Sequence, residues 1–174
     1  WVRKPLLERA LQHVEAADAA ARLGSLRVAG FLGPERALVV TAALTRDSDH
    51  GVRVSAFNQA VAAKEAGRPL LRDVLNGQDP VLIAASLDLL GRAGDRPVLN
   101  AARRLISHPD EDVRGAAARA IGMVGGPSAS VALASRPDDT DAVAAAKSEA
   151  LDWLFGNSPR PEAAAWWSDE PTPF

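Results

Sequence analysis

A chain of 174 residues, 47% of them hydrophobic, is one domain's worth of sequence and long enough to bury a sizeable core. Its 20 Lys and Arg against 22 Asp and Glu leave a net charge of -2, which gives no general attraction to nucleic-acid phosphates. With no cysteine there is no disulfide framework and no thiolate chemistry, a composition that suits a reducing compartment.

The alanine load and the low aromatic content point to an all-α chain. No apolar run approaches the roughly 18 residues needed to span a bilayer. The chain begins with Trp1 and its only methionine is Met123, so a preceding segment is expected. Trp1-Val2-Arg3-Lys4 has the aromatic-then-basic character found just cytoplasmic of a membrane span. The boundary of an excised domain explains the same start more simply, because two basic residues are a weak orientation signal. A cytoplasmic location is expected in both cases, with membrane contact only through such an upstream span.

In chain order, residues 5–21 read as a first helix, with Leu6, Leu7, Ala10, Leu11 and Val14 spaced at three and four. Residues 23–32 are a second apolar stretch, interrupted by Gly24 and Gly30, and predict a continued or kinked helix. Gly33-Pro34 is firm punctuation, and Pro34 suits the first position of a helix running to Leu44.

From Asp47 onward the chain shows a period. Val52, Val81, Val113 and Val143 each follow a polar loop, at separations of 29, 32 and 30 residues. Eight residues beyond them stand Ala60, Leu89, Ile121 and Leu151, with alanines three or four beyond each valine. Helices opened in this way are called A-type here. Between them lie shorter B-type segments, 34–44, 69–75, 97–106 and 127–134, each opened by a proline, while Gly67, Gly94 and Gly126 fall where the turn inside each pair belongs. A helix pair of this kind cannot bury both faces alone, so it must stack on its neighbours.

The clearest copy is residues 108–126. Pro109 ends what precedes it, the acids at 110–112 can cap a new first turn, and a helix should start near Asp112. Val113, Ala116, Ala117, Ala120, Ile121 and Val124 then form one stripe at 3.6 residues per turn. The small side chains admit close neighbours. Gly125 and Gly126 predict a left-handed C-cap.

These residues resemble the HEAT-repeat family, in the short form of about thirty residues found in bacterial HEAT-like and PBS-lyase-type repeats. The resemblance is carried by Asp110, Asp112, Val113, Arg114, Ala117, Ala120, Ile121 and Gly122, with echoes at Asp49, Val52, Arg53 and Ala56. It is degenerate elsewhere: the second repeat lacks the arginine after its valine, and the fourth carries Ala144 there. It implies a right-handed α-solenoid of stacked antiparallel helix pairs over residues 17–156, preceded by a capping segment, 1–16, and followed by a tail, 157–174. It further implies that Arg53 and Arg114 bond to loop acids of the neighbouring repeat, and that B-type helices line a concave face. Arg36, Arg72, Asn100, Arg103 and Arg104 project on that face if Leu71, Val74, Val98, Ala102, Leu105 and Ile106 point inward.

The tail carries Glu162, Asp169, Glu170 and the pair Trp166-Trp167 between prolines. Two readings stand: the tryptophans fold back over the end of the last repeat, or they anchor a short docking motif. Catalytic patterns are missing. His13, His50 and His108 lack metal-ligand spacing, and no GxSxG, phosphate-binding loop or dinucleotide fingerprint is present. The sequence therefore predicts a non-enzymatic, cofactor-free, monomeric scaffold that binds an acidic or extended protein segment on its concave face. The alternatives carried by the resemblance are a nucleic-acid-binding HEAT-like domain, of the kind seen in one class of DNA glycosylases, and a bilin-lyase-like subunit.

Overall fold

The polar loops act as helix starts, and their side chains set the phase of every repeat. The computed structural model describes residues 3–134 and 140–162, and all regular secondary structure among these residues is helical. In chain order the helices are α1 (Arg3–Gln12), α2 (Ala19–Phe31), α3 (Pro34–Leu44), α4 (His50–Ala62), α5 (Arg68–Val74) and α6 (Pro80–Arg92). They continue as α7 (Val98–Leu105), α8 (Glu111–Val124), α9 (Ser130–Leu133) and α10 (Asp141–Phe155), with 3-10 turns at Lys64–Gly67 and Pro127–Ala129.

Asp49, Asp79, Asp110 and Thr140 are N-caps, and each side chain accepts a hydrogen bond from the amide three residues on, at Val52, Leu82, Val113 and Val143. Asp18 caps α2 through the amide two residues on, at Ala20. The five caps lie 31, 30, 31 and 30 residues apart. This regular spacing corrects the register of the second repeat: Leu82 is 5% exposed, whereas Val81 is 68% exposed. Pro80 occupies the first helical turn behind Asp79, which puts Leu82 at the third position and rotates Val81 outward.

The caps also divide the predicted first helix. Residues 5–21 do not form one element: α1 ends at Gln12, and Asp18 starts a new helix that runs through Gly24 without interruption. A third expectation fails at Gly125 and Gly126, which are extended (φ -73 and -102). Gly125 is required there for space, since a Cβ would lie 2.5 Å from the Ile121 carbonyl oxygen. Left-handed glycines instead close α6, at Gly94 (φ 64), and α10, at Gly156 (φ 76).

The chain divides after Gly77 into two compact units. In the first, α2 packs on α3 and α4, and α1 packs on α2 and α3. Leu26, Ala29, Val40, Leu44, Val52 and Ala56 form its core, with Leu7, Leu11 and Leu23 partly buried against it. Gln59 ties three helices together: its amide nitrogen donates to the Leu26 carbonyl at 2.6 Å, and its amide oxygen lies 3.0 Å from the Thr41 hydroxyl.

In the second unit α8 is central and packs against α6, α10 and α7. Between Val113 and Gly122 every residue of α8 except Arg119 is buried, so alanine is required on more than one face. The closest approaches are at glycines. A Cβ on Gly91 would meet the Ala120 Cα at 3.1 Å, and one on Gly122 would meet the Ala150 Cα and Cβ at 2.7 Å. Both glycines stand twelve residues past their caps, so one repeat position admits the next A-type helix.

Two stability predictions follow from this packing. Gly122→Ala should destabilise the protein by about 1–3 kcal/mol, because overpacking at a backbone contact outweighs the helix propensity gained. Gly24→Ala, with open space around its Cβ, should stabilise by about 0.5–1 kcal/mol. Urea denaturation of both variants measures the contrast. Ser86 is fully buried, its hydroxyl has no hydrogen-bond partner among the described residues, and the equivalent positions of the repeats before and after it hold Ala56 and Ala117. Ser86→Ala should therefore raise stability by about 1 kcal/mol in the same measurement.

Candidate protein-binding face

The arginines that follow the caps are structural. In Arg22, Arg53 and Arg114, four residues past Asp18, Asp49 and Asp110, Nη1 donates to two carbonyls of the loop preceding its own helix. The acceptors are Ala16 and Ala17 (2.7 and 3.1 Å), Asp47 and Ser48 (2.9 and 3.1 Å), and His108 and Pro109 (3.0 and 2.9 Å). Each clamp straps its loop against the helix that the loop starts. Arg114 is 7% exposed, so its guanidinium offers little surface to an external anion.

Arg22 makes the kind of bond expected of Arg53 and Arg114, from a clamp arginine to the next repeat's loop acid. Its Nε and Nη2 reach the Asp47 carboxylate at 2.7 and 2.8 Å. Sequence reasoning missed Arg22, although its distance from Asp18 repeats the Asp49–Arg53 and Asp110–Arg114 pairs. These hydrogen bonds hold the Asp47 carboxyl below the ordinary carboxylate range, against the opposing effect of burial. In the second unit, Arg119 of α8 makes the same bidentate pairing with Asp88 of α6, at 3.0 and 2.9 Å. The hydrogen bond to Asp88 raises the Arg119 pKa despite burial, helped by the charges of Asp88, Glu149 and Asp112.

The histidines serve the loops: His108 Nδ1 accepts from the Asp110 amide at 3.1 Å, and His50 Nδ1 lies 3.4 Å from Arg53. No group of His, Asp and Glu that could hold a metal ion occurs among the described residues. At the end of α10 the chain turns back, and Arg160 donates to the Trp153 carbonyl at 3.1 Å and the Met123 carbonyl at 3.4 Å. A cation thus sits at the C-terminal ends of α8 and α10, where the helix dipoles favour it. Arg160 was not singled out from the sequence.

The B-type helices bury the residues expected to point inward: Leu71 and Val74 on α5, Val98, Ala102 and Leu105 on α7, and Ile106 just after it. On α7 this leaves Asn100, Arg103 and Arg104 exposed at i, i+3 and i+4, so the structure brings these three together. Arg96, exposed four residues before Asn100, extends the same row and was missed because it precedes the helix. Asp95 is buried, which leaves the exposed row free of acids. Arg36 and Arg72 lie in the other unit, on separate helices, Arg36 exposed on α3 and Arg72 half-buried in the last turn of α5. Trp166 and Trp167 lie outside the described residues.

A family model for HEAT repeats matches residues 68–152, from the start of α5 into α10. Over these residues the chain is built of HEAT repeats. Its repeats are the helix pairs whose caps recur at 30 or 31 residues, and HEAT repeats generally mediate protein–protein interaction. No curated protein matches the chain. None of the described helices is long and apolar enough to cross a membrane.

The Arg22–Asp47 pair generates a pH prediction for this HEAT-repeat protein. Because the folded-state pKa of Asp47 is depressed, its stabilisation is fully present above about pH 4, the unfolded carboxylate value, and is lost as pH falls through the folded value. Asp47→Asn should lower the melting temperature at pH 7. The gap to wild type should shrink below about pH 4. Calorimetry across that range checks it, and a gap independent of pH would refute the linkage.

Proposed function

We propose that this HEAT-repeat protein is a non-enzymatic, cytoplasmic scaffold whose B-type helices bind an acidic, extended protein segment, with α7 as the main contact. The observation that carries this reading is the row Arg96, Asn100, Arg103 and Arg104, exposed above a buried apolar face and free of acids in a chain of net charge -2. Guanidinium groups pair bidentately with carboxylates, and an asparagine amide can both donate to and accept from an extended main chain. Arg36 and Arg72 offer further cationic contacts in the first unit. The row has no aromatic residue on which nucleic-acid bases could stack, which favours a protein ligand over a single-stranded nucleic acid. The repeats extend over residues 17–156, with α1 as the N-terminal cover.

Fluorescence anisotropy with a labelled glutamate-rich peptide at low ionic strength tests the assignment. Arg103→Glu with Arg104→Glu should weaken binding by roughly tenfold or more, about 1.4 kcal/mol. Arg27→Glu, an exposed change on the A-type helix α2, should leave binding unchanged. Equal affinity of the double variant and wild type would remove α7 from the site.

A further inference from the structure

The exposed side of α3 differs in kind from that of α7. Arg36, Val39, Ala43 and Arg46 are all exposed and follow one another at three, four and three residues, which makes a single stripe. Thr45 keeps the right-handed helical conformation past the last turn, so Arg46 stays in register with it. Val39 is 58% exposed, and Ala42 widens the apolar strip beside it. The result is an apolar strip bracketed by two guanidinium groups about 15 Å apart along the helix. A ligand complementary to it has an aromatic or aliphatic anchor with carboxylates beside it.

The chain itself contains such a segment. Residues 161–174 hold no Lys or Arg, carry Glu162, Asp169 and Glu170, and place Trp166 and Trp167 between those acids. Asp169 and Glu170 follow Trp167 by two and three residues, about 7–10 Å of extended chain. The rise along α3 from Val39 to Arg46 is about 10 Å, so indoles on the apolar strip put these carboxylates within reach of Arg46. Either arginine can also stack on an indole face.

We infer that the α3 face of one copy takes the tryptophan segment, residues 161–174, of a second copy. This goes beyond the α7 reading and does not rest on it, although Arg36 is common to both. It also departs from the monomer expected from the sequence. A face-to-tail contact is heterologous, so each added copy leaves one free face and one free tail, and association is open-ended.

Sedimentation velocity of the full chain, over a concentration series, tests the inference. For wild type, the mean mass should rise past that of a dimer as concentration increases. Trp166→Ala with Trp167→Ala, and Arg36→Glu with Val39→Asp and Arg46→Glu, should each remain at the mass of one chain, with circular dichroism confirming the helical fold. An equimolar mixture of these two variants should form a complex that stops at two chains, since only one intact face and one intact tail remain per pair. Arg103→Glu with Arg104→Glu should associate as wild type does, which separates this outcome from that of the α7 reading. A wild type that stays monomeric, or association that survives in either tail or face variant, would overturn the inference. So would a drop in melting temperature on Trp166→Ala with Trp167→Ala without any self-association, which would mark the tail as a cover for its own last repeat.

Discussion

One hydrogen bond sets the phase of this protein: a side-chain oxygen at the N-cap accepts from the amide three residues on. Because the capped residue cannot rotate about the helix axis without losing that bond, Val52, Leu82, Val113 and Val143 are all turned inward. The arginine four residues past a cap then fixes the approach of the chain, since one guanidinium nitrogen gathers two loop carbonyls that have no helical partner. Cap and clamp together determine where a helix begins and which of its faces meets the core. Where the clamp also reaches the next loop, as Arg22 reaches Asp47, one repeat positions the start of another.

Given that phase, composition follows from neighbour distance. A central A-type helix contacts helices on several sides, and α8 meets this with alanine or glycine at six of its nine buried positions. Each small residue contributes little burial by itself. The close approach at Gly91 and Gly122 instead brings backbone atoms of adjacent helices into contact, where dispersion forces act over many atom pairs. The bidentate Arg119–Asp88 pair adds direction at the partly exposed edge of the same interface, holding α6 and α8 in one longitudinal register. Apolar packing alone specifies that register weakly when the side chains are nearly uniform.

Much of this was legible in the sequence, because loop, cap and alanine stripe recur together. The helical class, the proline starts of the B-type helices and the inward residues of α5 and α7 all follow from periodicity. The misreadings share a physical origin. In Val81-Leu82-Ile83 three adjacent apolar residues leave the phase open, and only the Asp79 bond to Leu82 selects it. In residues 5–21 apolar spacing continues across the gap between α1 and α2, so it cannot reveal that Asp18 and Arg22 make a loop there. Gly125 has the composition of a left-handed cap, but its backbone shows that it is there because Ile121 and Ala129 leave no room for a Cβ. Long-range pairings such as Arg119–Asp88 and Arg160–Met123 have no local signature.

The same physics separates structure from recognition along this chain. The best-patterned stretch, α8, spends nearly all of its side chains on other helices, so its sequence regularity is a record of burial. The surfaces proposed for recognition are instead the exposed sides of two B-type helices, α7 and α3, whose opposite sides are buried. The exposed residues of the α7 row are arginines and an asparagine, whereas α3 exposes an apolar strip between two arginines. A uniform ligand, acidic along its whole length, satisfies the first surface but leaves Val39 and its alanine neighbours in water. The second surface requires an anchor that removes them from water, at about 25 cal/mol for each Å² of apolar area covered. The ligand proposed for α7 and the one inferred for α3 therefore differ in chemistry: the first needs only carboxylates, the second an apolar anchor as well.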